Sequence, residues 1–228
     1  MKVLVKGQKK FYCTGDECHT NFGVIKVDGR EAVSNKGSKF KVFDAGFADK
    51  LVKVKRGPAL VNAKDAGMII ATTGVGKDSI VLDAGAGTGV LTAYLARVCK
   101  KVYSYEVRED FFKIVEKNLL SLGLDNVVLK NASVSEVSEK GLDLVTLDLL
   151  DAWKYFDEVG KALKSGGWLV CYVPNINQVQ ECVIRAQDFI FEKAVEVLER
   201  EWIVEDKRLR PENQMLGHTA FLVFFRKY

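Results

Sequence analysis

Short apolar runs alternate with amphipathic segments along most of the chain after residue 58. The runs predict buried strands at Ile80–Leu82, Lys101–Glu106, Val127–Leu129, Leu142–Leu147 and Trp168–Val173. Apolar residues at helical spacing predict helices at Ala59–Ala71, Val90–Val98, Asp110–Leu122, Ala152–Leu163 and Asn177–Leu198. Two further runs, Trp202–Val204 and Phe221–Phe225, predict a terminal hairpin-like pair. This alternation is typical of an α/β fold with a mostly parallel sheet and helices on both faces.

Residues 1–55 have a different pattern. Their β-favouring runs are short, and they lack a helical period. Glycines separate the runs, and turn signals at this density predict a small antiparallel β-module. Arg56-Gly57-Pro58 then predicts a break, so the predicted domains are residues 1–58 and 59–228.

Charge is distributed unevenly between the two parts of the chain. Residues 1–63 contain 13 Lys and Arg against 6 Asp and Glu, whereas the remainder contains 21 against 24. A basic module beside a mildly acidic domain favours a polyanionic partner, although a solvated lysine-rich surface explains the same counts. Apolar runs stay below the ~18 residues of a membrane span, and the N-terminus lacks the apolar region of a signal peptide. We therefore expect a cytoplasmic protein with no membrane partner.

The five cysteines are scattered, which is untypical of a disulfide framework. Cys13, Cys18 and His19 are close in sequence, but no CxxC pair supplies a fourth ligand. We therefore predict no metal site and interpret these thiols as structural or incidental.

The strand at Ile80–Leu82 leads into a turn with glycine at alternate positions, Gly85, Gly87 and Gly89. A strand, a glycine turn and a helix bring backbone close to a nucleotide-like ligand. Dinucleotide-binding folds carry GxGxxG and place a pyrophosphate on the helix, whereas this chain has GxGxG after the acidic Asp83. A carboxylate suits a cofactor with an ammonium and a sulfonium group. The stretch resembles the first motif of S-adenosylmethionine (SAM) methyltransferases.

Polar side chains follow the next three predicted strands. Glu106 ends the second strand, about twenty residues beyond the glycines, where an acid binds ribose hydroxyls in nucleotide folds. Asn131 and Ala132 follow the third strand, where a side-chain amide can bind adenine, and Asp148 ends the fourth. Ligands of an open α/β sheet bind beyond the carboxyl ends of its strands. The glycine turn and these side chains together indicate a SAM site.

Two further motifs indicate the substrate. Residues 148–153 read DLLDAW, which is similar to the DLxxPW element of the tRNA adenine-N1 methyltransferases of the TrmI family, with Ala152 in place of proline. Arg210–Leu222 (RPENQMLGHTAFL) resembles the RPxxxMxGHTxFL of that family. His19–Gly23 resembles its HxHxG turn, although Asn21 replaces the second histidine, and the stretch 55–66 resembles its linker. The resemblance spans nearly the whole chain.

The resemblance implies a Rossmann-like class I SAM methyltransferase sheet, with an antiparallel last strand, and a small N-terminal β-domain. It implies transfer of a methyl group from SAM to N1 of an adenine in the T-loop of tRNA, with S-adenosylhomocysteine as the by-product. The target is position 58, and position 57 is a second candidate. It further implies that the basic module holds the tRNA backbone and that the protein is a homotetramer. The alternatives are a SAM methyltransferase for another substrate and a noncatalytic tRNA-binding subunit.

The motifs and the resemblance also give the expected site residues. Asp148 is the expected catalytic residue, because a carboxylate can bind the adenine N6 amino group and stabilise the developing positive charge. We expect the cofactor to contact Met68, Gly85, Ala86, Gly87, Thr88, Gly89, Glu106, Phe111, Asn131, Ala132 and Asp148. We expect the tRNA to contact Arg210, His218 and Thr219, although His218 is equally well explained as a structural loop residue.

Overall fold

The computed structural model describes residues 1–55, 57 and 61–228. Within them the chain forms two compact units, Met1–Val54 and Lys55–Tyr228. The predicted domain boundary, between residues 58 and 59, lies outside the described residues, as do Arg56, Pro58 and the first two residues of the helix predicted from Ala59.

The N-terminal unit is built from antiparallel β-strands. Its elements are β1 (Lys2–Lys6), β2 (Lys9–Cys13), β3 (Glu17–Thr20), β4 (Gly23–Lys26), β5 (Glu31–Val33), β6 (Lys39–Asp44) and the short helix α1 (Phe47–Leu51). One sheet has the order β2-β1-β6-β5, and β3 pairs with β4. A small apolar core contains Leu4, Ile25 and Phe40 together with the buried thiols of Cys13 and Cys18.

The C-terminal unit alternates strands and helices. Its elements are α2 (Ala63–Thr73), β7 (Ile80–Ala84), α3 (Val90–Val98), β8 (Lys101–Tyr105), α4 (Glu109–Leu122), β9 (Val127–Lys130), β10 (Leu142–Leu147), α5 (Phe156–Ala162), β11 (Leu163–Val173), α6 (Ile176–Arg185), β12 (Phe189–Glu196), β13 (Trp202–Glu205), β14 (Arg208–Pro211) and β15 (Phe221–Lys227). A 3-10 turn at Ala152–Tyr155 begins the helix predicted at 152–163. In the described part of the chain, no helix combines the length and the apolar character that crossing a membrane requires.

Seven strands form the central sheet in the order β12-β15-β11-β10-β7-β8-β9. Strands β7 to β11 are parallel, and β15 is antiparallel to both of its neighbours, as predicted for the last strand. Helices cover both faces of these parallel strands, and such strands are rich in apolar residues. Val81, Leu82, Leu144 and Val145 are accordingly fully buried. The carboxyl ends of β7, β8, β9 and β10 consequently lie together at one edge of the sheet, which we call the rim.

The helix predicted at Asn177–Leu198 is wrong in its second half. Helix α6 ends at Arg185, and the chain then forms β12, which pairs with β15 along its length. The pairing satisfies the backbone groups of β15 and buries Phe189. A non-local strand partner therefore overrides the helical spacing of this segment.

The predicted terminal hairpin-like pair is also wrong. Strand β13 pairs with β14, which the sequence analysis did not predict, and β15 lies inside the central sheet between β11 and β12. The buried apolar run of β15, Leu222–Phe225, explains this position, because such a strand needs cover on both faces.

Candidate active site

The glycine turn joins the central strand β7 to helix α3. Gly87 and Gly89 have positive φ angles of 59° and 79°, a conformation that residues with a Cβ rarely adopt. Gly89 also lies against α4, where an added Cβ would be 2.9 Å from Cγ1 of Val115. The turn geometry and the packing of α3 against α4 therefore both require glycine at this position.

Glu106 follows β8 and binds the glycine turn. Its Oε2 accepts a hydrogen bond from the backbone N–H of Gly87 at 2.9 Å, and its Oε1 accepts one from the backbone N–H of Arg108 at 3.0 Å. The Arg108 Nε lies 3.3 Å from the same Oε1, and the guanidinium lies 3.7 Å from the ring centroid of Phe111. The side-chain amide of Asn131 donates to the Glu106 carbonyl at 2.7 Å. Glu106 thus holds the turn through its buried carboxylate and the end of the third strand through its backbone carbonyl.

Asp148 follows β10 and lies beside the turn. Its backbone N–H donates to the carbonyl oxygen of Ala84 at 2.7 Å, which fixes this strand end next to β7. The side chain is reached by solvent through a cavity, yet the surrounding protein raises its pKa to about 7, with burial as the main cause. The charges of Asp83 and Glu106 raise this pKa further, and Arg108 lowers it. Asp148 therefore keeps its proton to a higher pH than an ordinary aspartic acid does.

Asp83, the acid before the glycines, is buried beneath the turn. Its Oδ2 accepts a hydrogen bond from the Thr92 hydroxyl at 2.6 Å, and its Oδ1 accepts one from the Thr146 hydroxyl at 2.7 Å. Burial raises the pKa of Asp83 to about 6 in spite of these hydrogen bonds. Asp83 therefore connects β7 to α3 and β10 within the protein.

A cavity of about 450 Å³ opens at the rim, within the usual size range of small-molecule sites. Its lining includes Gly85, Gly87, Tyr105, Glu106, Arg108, Phe111, Ala132, Ser133, Asp148, Leu149 and Tyr155. A second, smaller cavity shares Gly85, Gly87 and Asp148 with the first and is also lined by Ala86, Thr88 and Asp83. Thr88 is buried there, and its hydroxyl has no hydrogen-bond partner among the described residues. An unpaired buried hydroxyl indicates a place for a polar ligand group.

Thr219 lies in a buried polar cluster next to the rim. Its hydroxyl donates to Asp65 Oδ2 at 3.0 Å and accepts from Lys64 Nζ at 2.7 Å. Asp65 is fully buried and also accepts from Lys64 at 2.8 Å and from the Tyr172 hydroxyl at 3.2 Å. Two segments far apart in sequence, one at 64–66 and one at 217–219, are therefore joined by one buried carboxylate.

His218 makes two polar contacts. Its Nε2 lies 2.8 Å from the carbonyl oxygen of Pro174, and its Nδ1 contacts a carboxylate oxygen of Glu196. The contact with Glu196 and then the Pro174 carbonyl raise the pKa of His218. Both ring nitrogens thus face acceptors, which favours the doubly protonated ring and a structural role in holding the C-terminal segment.

Not every predicted residue reaches the rim cavity. Met68 packs from α2 against the apolar core, and Arg210 donates to Asn213 Oδ1 at 2.6 Å on the β13–β14 hairpin. The exposed Asn131 is absent from the cavity lining, and its amide donates to the Glu106 carbonyl. The ligand contacts of these three residues, like those of every other predicted site residue, stay predictions.

Sequence reasoning missed two groups at this edge of the sheet. Arg108 and Tyr105 line the cavity, and their only signal was proximity to Glu106 in sequence. The cluster around Asp65 is the second group: Thr219 and the stretch 55–66 were recognised as parts of motifs, but nothing in the sequence showed that residues from α2, β11 and the segment before β15 meet.

The sheet order, the glycine turn and the acidic residues at the strand ends define a Rossmann-like class I SAM-dependent methyltransferase. A model of the family described as "tRNA methyltransferase complex GCD14 subunit" matches residues 53–220, and the chain belongs to this family. The predicted relationship to the TrmI enzymes is confirmed, as the following similarities show.

Relatives of known name and solved structures match along nearly the whole chain. The tRNA (adenine(57)-N(1)/adenine(58)-N(1))-methyltransferase TrmI of Methanocaldococcus jannaschii is 32% identical over 99% of this chain and 94% of its own length. The crystal structure of the tRNA (m1A58) methyltransferase TrmI from Aquifex aeolicus is 28% identical, with a TM-score of 0.87 over 100% of this chain and 96% of that chain. A Thermotoga maritima structure described as a SAM-dependent O-methyltransferase is 32% identical, with a TM-score of 0.89 over 99% and 92% of the two chains.

Proposed function

We propose that this protein transfers a methyl group from SAM to N1 of an adenine in the T-loop of tRNA, at position 58 and, as a second candidate, at position 57. The observation that carries the proposal is the meeting of Glu106, the glycine turn and Asp148 around one cavity. Membership of the tRNA methyltransferase family supports the substrate, and the name of the M. jannaschii relative includes both positions.

The residues at the rim fit SAM. The glycine turn leaves room for a ligand against the backbone of Gly87, where an added Cβ meets no atom within 4 Å. The Thr88 hydroxyl is free for a polar group of the methionine portion, and Glu106 can accept hydrogen bonds from ribose. The ring of Phe111 and the backbone around Ala132 line the side of the cavity that suits adenine. When bound, SAM supplies the electrophilic methyl group.

Asp148 has the catalytic role in this proposal. Adenine N1 has a free lone pair at neutral pH, so no strong base is needed to activate it. The Asp148 carboxylate can accept a hydrogen bond from the N6 amino group and thereby orient N1, and it stabilises the positive charge that develops on the base. Leu149 and Tyr155 line the same cavity and help to exclude water. The adenine is stacked in a folded T-loop and must be flipped out to reach this site.

The proposal includes tRNA contacts and an assembly. The lysine-rich N-terminal unit holds the tRNA backbone by phosphate contacts that weaken with salt. The protein is cytoplasmic and forms a homotetramer. Exposed apolar side chains on the β13–β14 hairpin support self-association: Trp202 is 58% exposed, Val204 70% and Leu209 72%. Light scattering on the purified protein tests the tetramer directly.

Incubation with labelled SAM and an unmodified tRNA transcript, followed by nucleoside analysis, tests the reaction. We expect 1-methyladenosine with the wild-type protein and none with Asp148→Ala. In a tRNA transcript with guanine in place of adenine at position 58 or 57, the product should be lost at the substituted position. Absence of 1-methyladenosine with any tRNA would refute the assignment. The name of the Thermotoga protein makes O-methyl transfer the second candidate, and a label recovered on ribose oxygen or on a small hydroxylated acceptor would favour it. Activity that appears only after a second protein is added would favour the noncatalytic-subunit alternative.

A further inference from the structure

The N-terminal unit has a surface groove of about 670 Å³ to which the proposed methyl transfer assigns no role. It is lined by Lys9, Lys10, Phe11, His19, Thr20 and Asn21. Three of these residues belong to β2, the edge strand of its sheet, and the others belong to the end of β3 and the turn after it. An edge strand and a hairpin turn therefore bound an open, solvent-filled groove.

The two lysines of this groove present uncompensated positive charge. Lys9 and Lys10 are exposed, and neither forms an ion pair with a carboxylate within the described ranges. Lys2 on the neighbouring strand differs, because it lies 2.8 Å from Asp44. Lys9 Nζ lies 5.3 Å from the ring centroid of Phe22. An anion that enters the groove thus finds two cations that no carboxylate among the described residues neutralises.

One aromatic ring, Phe11, lines the groove and packs against two other rings. Phe11, Phe22 and Phe40 meet edge to face, with ring centroids 6.0 to 6.1 Å apart. Lys6 Nζ lies 4.2 Å from the centroid of Phe22, so a cation already covers that ring. Phe11 is partly exposed in the groove, and no cation covers it in the part of the chain that is described. An accessible ring beside unpaired lysines is the combination that binds an unstacked base and its phosphates.

We propose that this groove binds an unpaired nucleotide of the RNA substrate, with its base against Phe11 and the flanking phosphates at Lys9 and Lys10. The exposed side chains of His19 and Asn21 offer hydrogen-bonding groups to the base edge. This inference rests on the proposed function, because it takes RNA as the substrate. The groove contributes to RNA affinity and not to the transfer step, since none of its residues lines the cavity around Asp148.

Charge removal tests the phosphate contacts. The full-length Lys9→Gln/Lys10→Gln variant is titrated with a labelled, unmodified tRNA transcript at several salt concentrations, and its methylation kinetics are measured. We expect Kd and KM for tRNA to rise about tenfold and the slope of log K against log salt to fall by about 1 to 2, with kcat and KM for SAM unchanged. The matched control, Lys26→Gln/Lys39→Gln, removes the same charge from exposed lysines outside the groove. An equal loss in the control would show diffuse attraction and overturn the proposal.

Ring replacement tests base stacking. Phe11→Leu should weaken binding of a single-stranded RNA about tenfold and leave binding of a duplex of equal length unchanged, whereas Phe11→Tyr should bind both as the wild type does. Thermal unfolding of each variant shows whether it is folded. The inference would be overturned if Phe11→Leu bound single-stranded RNA as tightly as the wild type does. It would also be overturned if the groove bound polyglutamate, an acidic peptide, and not RNA. A wild-type protein that binds RNA in this groove but yields no 1-methyladenosine would instead refute the proposed function and leave the groove assignment standing.

Discussion

The raised pKa of Asp148 predicts a pH-dependent reaction. In the proposed mechanism, the ionised carboxylate is the form that binds the N6 amino group and stabilises positive charge, so activity should increase as the carboxyl group loses its proton. With a pKa of about 7, about a tenth of the free enzyme is active at pH 6, half at pH 7 and nine-tenths at pH 8. We therefore expect kcat/KM for SAM to rise about tenfold between pH 6 and pH 8, with its midpoint near pH 7.

Two variants separate this group from others that titrate nearby. Arg108 lowers the pKa of Asp148, so Arg108→Gln should move the midpoint to higher pH, whatever it does to the absolute rate. Asp148→Asn should remove the dependence and leave a low, flat rate, because an amide cannot ionise. In the wild type, the kcat profile should lie at lower pH than the kcat/KM profile, since a bound cationic cofactor favours the carboxylate.

The assay is the initial rate of labelled methyl incorporation at constant ionic strength, over a range of about pH 5.5 to 9. Parallel anisotropy titrations with the tRNA transcript control for changes in RNA binding. A pH dependence that persists in Asp148→Asn, or a midpoint that does not move in Arg108→Gln, would refute the reasoning and assign the titration to another group.

Three further predictions concern stability, each measured by urea denaturation. Gly89→Ala should destabilise the fold by about 2–3 kcal/mol, because its φ is positive and the new Cβ would lie 2.9 Å from Val115; a cost below about 0.5 kcal/mol would contradict this. The raised pKa of Asp83 means that this carboxyl group holds its proton more tightly in the folded than in the unfolded state. The free energy of unfolding of the wild type should therefore fall relative to that of Asp83→Asn as pH rises from about 4 to 6. If the two free energies change with pH in parallel, this prediction is wrong. Thr219→Val should cost about 1–3 kcal/mol by removing a donor from the buried Asp65, whereas Thr219→Ser, which keeps the donor, should be close to wild type.

The rim could be predicted from sequence because each of its parts is local. A buried parallel strand is mostly apolar, and polar or glycine residues gather where it ends. This rule located the ends of β7, β8, β9 and β10, and with them the positions of Glu106, Asn131 and Asp148. Their convergence then followed from the parallel topology, which requires no knowledge of side-chain contacts.

The parts that could not be predicted depend on non-local partners. The segment after Arg185 has helical spacing, and only the presence of β15 makes it a strand. Asp65 lies in a helix with nothing nearby in sequence to compensate its charge except Lys64, and its other partners, Tyr172 and Thr219, are more than a hundred residues away. Asp65 and Thr219 both lie in motifs that the sequence shows, but a single sequence contains no signal that these two motifs meet in the fold.

Glu106 shows how far the cofactor site is built in the protein alone. A carboxylate offers about four acceptor positions, and the N–H groups of Gly87 and Arg108 together with the Arg108 Nε use three of them. The Nε contact is the longest, at 3.3 Å, and the arginine side chain is 55% exposed, so it is the weakest of the three. A ribose with two hydroxyls needs two acceptor positions, and the second becomes available only when Arg108 turns away from Glu106. Because the same arginine lowers the pKa of Asp148, the proposed binding of ribose at Glu106 would be connected through one side chain with ionisation of the proposed catalytic carboxylate.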